Sequence, residues 1–292
     1  MSFNFEKIGK PLCVVQEKKP GAAGPLKNQV IYLATGDEKE EPKHPFTFFK
    51  FDNGVNLQQV PNTTSEREIL YITGASGSGK STYTRLYCEQ YRKKYPRNDI
   101  ILFSSLPEDE SLDSVHPRRF KIDDRLLDEP ITTENLGIFQ DTCIIFDDID
   151  VLTNKKHRQA VLDIANSVLE IGRHFNITAI FTNHLPTNKG DTRRVLNESH
   201  AVVYFPHSGS MRGTRYLLEQ YVGLDKDMIS KIKRMPTRWC CVFKNYPQAV
   251  MTQRRIMLAS MMDEDNGKAV DSDGSTDGES DEEEERSKKK KK

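Results

Sequence analysis

The chain has 292 residues, with 43 Lys+Arg against 43 Asp+Glu, a formal net charge of zero and 36% hydrophobic residues. That length can bury a sizeable core, but the low apolar share places part of the chain outside any core. No stretch reaches the roughly 18 apolar residues of a membrane span, and residues 1–10 lack the basic-then-apolar pattern of a signal peptide, so neither is expected.

In chain order, residues 1–65 hold a Pro/Gly-rich stretch, the apolar run Val30-Ile31-Tyr32-Leu33, a charged stretch, and a second apolar run over 46–51. The two runs predict short strands between loops, and the segment reads as a small N-terminal appendage. From residue 66 the pattern changes. Ile69-Leu70-Tyr71-Ile72 ends in glycines, and residues 80–94 are helix-like. Ile100-Ile101-Leu102-Phe103 and Cys143-Ile144-Ile145-Phe146 are further apolar runs. Over 156–175, Val161, Ile164, Ala165, Val168, Ile171 and Phe175 recur at helical spacing. Apolar runs return at 177–181 and 201–205. Short apolar runs alternating with helical stretches predict a mostly parallel, helix-flanked sheet of an α/β domain over 66–262.

Residues 263–292 carry 12 acids and 7 bases and almost no apolar residue, so they predict a disordered tail with a basic end. The rest then holds 36 bases and 31 acids, a net of +5. The neutral total therefore averages an acidic tail and a mildly basic body, and does not exclude a nucleic-acid partner. The cysteines Cys13, Cys88, Cys143, Cys240 and Cys241 show neither C-x-x-C nor Cys/His metal spacing. Neither a zinc site nor a disulfide framework is expected, which points to a reducing, intracellular setting.

Gly74-Ala75-Ser76-Gly77-Ser78-Gly79-Lys80-Ser81 matches the phosphate-loop pattern G-x-x-x-x-G-K-[ST]. Glycines let successive backbone N–H groups converge on one concavity, and the following helix adds its positive end. Lys80 supplies a cation for the β and γ phosphates of ATP, and Ser81 a hydroxyl for Mg²⁺. Thr82 completes the cradle. The loop lies between a strand candidate and a helix candidate, as this chemistry requires. The later run ending at Phe146 delivers Asp147 and Asp148, an acidic pair like that of a Walker B motif. On this alignment Asp147 holds Mg²⁺ and Asp148 orients the attacking water, with Asp150 a second candidate for either role.

These residues resemble the RecA-like P-loop ATPases of the ASCE division. In that group the sheet is parallel and one more strand separates the Walker B strand from the phosphate-loop strand. Here the inserted strand is 177–181, followed by Thr182-Asn183-His184. The resemblance implies a polar sensor at this place, Asn183 with Thr182 as alternate. The FtsK–HerA group commonly has Gln there, so Asn183 is a departure. The segment from Thr192 to Pro206, the Arg234-Met235-Pro236-Thr237-Arg238-Trp239 stretch and Tyr246-Pro247 resemble DNA-packaging ATPases of large eukaryotic DNA viruses. That resemblance covers residues 66–260.

It implies ATP hydrolysis by a homo-oligomeric ring that moves double-stranded DNA into a capsid. A capsid or membrane protein of a virion is then a partner, and the host cytoplasm or nucleus, or the virion, the place of action. It also implies an arginine supplied by a neighbouring subunit, since guanidinium is always charged and grips phosphate oxygens in a fork. Arg194 leads by position, then Arg193, with Arg212 and Arg215 as runners-up. Arg92-Lys93-Lys94, Arg118-Arg119, Lys155-Lys156-His157-Arg158, Lys231, Lys233-Arg234 and Arg254-Arg255 are candidate DNA-phosphate contacts. The alternatives are an ATP-dependent switch or assembly factor, and a phosphotransferase acting on a small acceptor.

Overall fold

The computed structural model describes residues 1–62, 67–187 and 189–261. The predicted acidic tail, 263–292, lies outside the described residues. The N-terminal chain forms β1 (Ser2–Asn4), β2 (Lys10–Glu17), β3 (Val30–Ala34), β4 (Phe48–Lys50) and β5 (Val55–Gln59). β1, β3, β2 and β5 make an antiparallel sheet in that order, whereas β4 belongs to the larger sheet. The two predicted strands, β3 and β4, thus lie in different sheets.

The larger sheet takes β6 (Ile69–Thr73), β7 (Asp99–Ser104), β8 (Arg118–Arg119), β9 (Thr142–Asp147), β10 (Thr178–Asn183) and β11 (Ala201–Tyr204). It then takes β12 (Cys240–Phe243), β13 (Ala249–Thr252) and β14 (Arg255–Leu258). Its order is β4-β14-β13-β12-β11-β6-β10-β9-β7-β8. From β11 to β8 every neighbour is parallel, and β10 lies between β6 and β9. This is the RecA-like arrangement, with one strand inserted between the phosphate-loop strand and the Walker B strand. From β11 to β4 the pairing is antiparallel.

Among the described residues, seven α-helices complete the fold: α1 (Lys80–Lys94), α2 (Glu110–Asp113), α3 (Arg125–Asp128), α4 (Lys155–Ile171), α5 (Lys189–Glu198), α6 (Met211–Leu217) and α7 (Lys226–Arg234). Strand side chains alternate between the two faces of the sheet. Ile69, Tyr71, Ile144 and Phe146 therefore face one layer, which includes Val161, Ile164 and Val168 of α4. Leu70, Ile72, Cys143 and Ile145 face the other, made of α1 and the N-terminal sheet. Both faces being covered explains why the central strands read as unbroken apolar runs. Each such side chain contributes about 1.5–3 kcal/mol on burial.

The N-terminal chain is also tied to α1 by polar groups. Tyr83, Tyr87 and Tyr91 recur every four residues on one face of the helix, and Tyr95 directly follows its last turn. The Tyr83 hydroxyl donates to Gln59 Oε1 (2.9 Å), Tyr87 to Glu68 Oε2 (2.6 Å) and Tyr95 to the Asn62 carbonyl (3.4 Å). These bonds satisfy hydroxyls that would otherwise be costly to bury. Burial raises the Glu68 carboxyl above its ordinary range, while the Tyr87 bond opposes that shift.

His200, between α5 and β11, accepts the Ile69 N–H at Nδ1 (2.9 Å). Burial, with the cations Lys10, Arg67 and Lys244, lowers its pKa to about 4. Between an unfolded value near 6.5 and about 4, the unfolded chain binds a proton that the folded chain does not. Stability from this group is therefore lost as pH falls through that window, by up to ~3 kcal/mol. In urea unfolding, we expect the wild type to lose more stability between pH 7 and pH 5 than His200→Asn, whose amide oxygen keeps the acceptor without the titration.

Candidate functional site

The phosphate loop leaves β6 at Thr73 and enters α1 at Lys80. Gly74 N–H donates to the Asn183 carbonyl (3.2 Å), anchoring the loop to β10. A Cβ at Gly74 would lie 2.6 Å from Ser78 Oγ and 2.7 Å from the Phe205 ring, so close approach excludes any side chain. Gly79, the residue before α1, has φ 114°, a left-handed conformation suited to glycine. Here local chain geometry, not helix propensity, determines where α1 begins.

Lys80 is buried, at 7% exposure, yet its ammonium meets three acceptors. Nζ lies 3.1 Å from the Gly74 carbonyl, 3.2 Å from His184 Nδ1 and 3.7 Å from Asp148 Oδ2. His184 Nε2 lies 2.9 Å from the same Asp148 oxygen. Asp148 has φ 46°, which is uncommon for a residue with a side chain. Its N–H is held by the Thr182 carbonyl (3.2 Å) and hydroxyl (3.1 Å). Burial pushes the Asp148 carboxyl above the usual range against the pull of Lys80, and the charge of Asp147 pushes it further.

Asp147 ends β9 and is 3% exposed. It accepts from Thr182 Oγ1 (2.7 Å) and Ser104 Oγ (3.0 Å), hydroxyls from the strands on either side. Ser81 Oγ donates to Asp109 Oδ2 (3.0 Å), and the other Asp109 oxygen caps α2 through Leu112 N–H (2.8 Å). Ser81 and Asp147 are hard oxygen donors, the set that suits a hydrated Mg²⁺ shared with phosphate oxygens. Asp150 lies on the turn after Asp148, and its buried Oδ1 has no hydrogen-bond partner.

The remaining predicted residues lie elsewhere. Asn183 lies beside the Tyr71 hydroxyl, which donates to the Leu185 (3.2 Å) and Pro186 (3.1 Å) carbonyls, and lines a cavity of about 170 Å³ beside α4 and α5, together with Asp150, Arg158 and Arg194. Arg194 pairs with Glu170 (3.2 Å), its side chain about half exposed. Arg193 and Arg212 are exposed, and Arg215 pairs with Glu219 (2.7 Å). The cation clusters are spread over several elements, and some are engaged internally: Arg92 donates to the His116 carbonyl (3.1 Å) and Arg119 pairs with Asp113 (2.7 Å).

Four residues around the loop carry no role in the sequence reading: His184, just past the strand end and able to face the site, Arg238, inside the 234–239 stretch, and Ser104 and Asp109, which no motif marks. Arg238 Nε donates to the Ser78 carbonyl (3.2 Å), bringing a guanidinium from the segment before β12 onto the phosphate loop. His184 directly follows the expected sensor position and was the one with a readable signal.

No protein-family model matches the chain. It is 42% identical over 250 residues to Uncharacterized protein V3 of Sputnik virophage, covering 85% of this chain and 95% of that protein. The chain belongs to the family of that virophage protein. Among solved structures, it is similar to the genome packaging NTPase B204 of Sulfolobus turreted icosahedral virus 2 in complex with AMPPCP. That match has 15% identity, covers 65% of this chain and 99% of that one, and has a TM-score of 0.45. The conjugation coupling protein TcpA of pCW3 gives 14% identity, 83% and 77% coverage and a TM-score of 0.43. The cytoplasmic domain of the type VII secretion ATPase EccC of Thermomonospora curvata gives 11%, 74% and 29%, and 0.45. Among the described residues, no helix is long and apolar enough to cross a membrane. By its own motif, topology and site, the chain is a P-loop ATPase of RecA-like fold.

Thr182 links the two acids, donating to Asp147 and accepting from the Asp148 backbone. Thr182→Val keeps the shape and removes both bonds. We expect a loss of about 1–3 kcal/mol in urea unfolding, because a buried carboxylate loses one of its two hydroxyl donors.

Proposed function

We propose that this protein is an ATP-driven motor that translocates double-stranded DNA, packaging it into a viral capsid. The observation that carries the ATP chemistry is the meeting of Lys80 and Asp148 at the mouth of the phosphate loop, 3.7 Å apart. Backbone amides of Gly77, Ser78 and Gly79 and the end of α1 cradle the β and γ phosphates, with Ala75 and Ser76 forming the outer bend and Thr82 the first turn. Lys80 turns from its present acceptors to the γ-phosphate oxygens. Ser81 and Asp147 hold Mg²⁺, which when bound neutralises phosphate charge. Ser81 releases Asp109 to do so.

Asp148 orients the water that attacks the γ-phosphorus. Its backbone is held by Thr182, so the carboxylate stands at a defined place beside Lys80. Asn183 acts through its carbonyl, which holds Gly74 N–H in the loop. The site faces outward at the strand ends, and an arginine from an identical neighbour in a ring completes it. We assign that role to Arg194, released from Glu170.

The DNA reading rests on the motif resemblance over 66–260 and on the mildly basic body. Exposed Lys93, Lys94, Lys155 and Lys156 can grip a duplex without reading its sequence. The virophage relative supports a viral setting, with action in the host cytoplasm or virion and a capsid protein as docking partner.

Steady-state ATP hydrolysis with and without duplex DNA tests this reading. We expect stimulation by DNA that weakens as salt rises. Lys80→Ala should lower turnover by about 100-fold or more, since it removes a charge aimed at the transferred phosphoryl group. A rate indifferent to DNA at every salt concentration would overturn the motor, and an unimpaired Lys80→Ala protein would overturn the site.

A further inference from the structure

His184 lies just past β10, and neither the phosphate loop nor the acidic pair includes it. Its two ring nitrogens face two different members of the site. Nδ1 is 3.2 Å from Lys80 Nζ, and Nε2 is 2.9 Å from Asp148 Oδ2. An ammonium only donates, so Nδ1 accepts. A carboxylate only accepts, so Nε2 carries the hydrogen. The partners therefore select the Nε2–H tautomer of a neutral ring.

The arrangement keeps Lys80 and Asp148 from closing on each other. At 3.7 Å their charges are near but not in a tight hydrogen bond. The ring occupies one hydrogen-bonding direction of each. Asp148 needs such a restraint, because its side chain is otherwise held only by a long 3.4 Å approach of the Thr182 hydroxyl, whose hydrogen is directed to Asp147 at 2.7 Å. A direct Lys80–Asp148 pair would take the lysine from the phosphate and the acid from the water at once.

We propose that His184 is the positioning residue of the ATPase site: it bridges Lys80 and Asp148, and holds Asp148 through Nε2–H when Lys80 moves to the γ-phosphate. This inference rests on the reading of the site as one that hydrolyses ATP. The γ-phosphate takes over the Lys80 hydrogen that Nδ1 accepts in the free protein. The bond from Nε2 to Asp148 remains and fixes the carboxylate while water is attacking.

Two variants separate this role from packing. His184→Phe keeps a flat ring and has no polar atom. His184→Gln places an acceptor and a donor on one carbon, with nearly the separation of the two ring nitrogens. We expect His184→Phe to lower kcat about 100-fold while the affinity for a non-hydrolysable ATP analogue changes less than about threefold, because misplacing the acid affects the chemical step more than binding. His184→Gln should recover at least about a tenth of the lost rate. A His184→Phe protein with wild-type kcat, or a folded His184→Gln protein no faster than His184→Phe, would overturn the proposal.

A readout independent of turnover keeps the two readings apart. Nitrogen-15 NMR of the full chain should find His184 as the Nε2–H tautomer, with the Nδ1 resonance shifting when the ATP analogue is added. The Nδ1–H tautomer would overturn the bridge even if ATP is hydrolysed. A protein without turnover but with the expected tautomer and shift would keep the bridge and overturn the hydrolysis.

Discussion

A buried ammonium has to be neutralised before any nucleotide arrives, and the site is arranged around that requirement. Lys80 is nearly enclosed, so its charge cannot rely on water. A carbonyl, an imidazole and a carboxylate share it, each from a different segment: the loop, the residue past β10 and the residue past β9. Phosphate oxygens can substitute for all three. The free protein thus holds the lysine at the place where it is needed, with partners it can exchange.

That arrangement depends on one topological fact, the position of β10 between β6 and β9. Parallel pairing brings Thr182 opposite Asp147 and Asn183 opposite Thr73. The ends of three strands then lie side by side, and three loops converge where the sheet stops. The sheet itself is held rigid from both faces. α4 covers one, while α1 and the N-terminal sheet cover the other, the latter through both apolar packing and the tyrosine hydroxyls of α1. The helix that presents the phosphate loop is therefore braced along its length by the N-terminal chain.

Much of this was legible in the sequence, for definite reasons. The phosphate loop is a local motif, so Gly74 to Ser81 could be read without knowing any distant contact. The unbroken run before Asp147 marked a buried strand, and the loop's glycines marked where α1 begins. Other features depended on long-range pairing. β12, β13 and β14 are four-residue strands whose partners are set by tertiary contacts. They bring Arg238 to the phosphate loop, a contact between residues 160 positions apart. β1, β2 and β5 were missed for the same reason.

The sensor region marks where strand periodicity stops being a guide. Side chains alternate along β10, so Thr182 and Asn183 point to opposite sides. Thr182 reaches Asp147, and Asn183 reaches Tyr71 and the cavity beside α4. A pattern argument that selects one polar residue at a strand end must know where the strand ends. His184 is the first residue beyond β10, no longer bound by that alternation, and it turns to Lys80 and Asp148. Chemistry at a strand end is thus accessible to the residue that leaves the sheet, because hydrogen bonding to neighbouring strands no longer dictates its orientation.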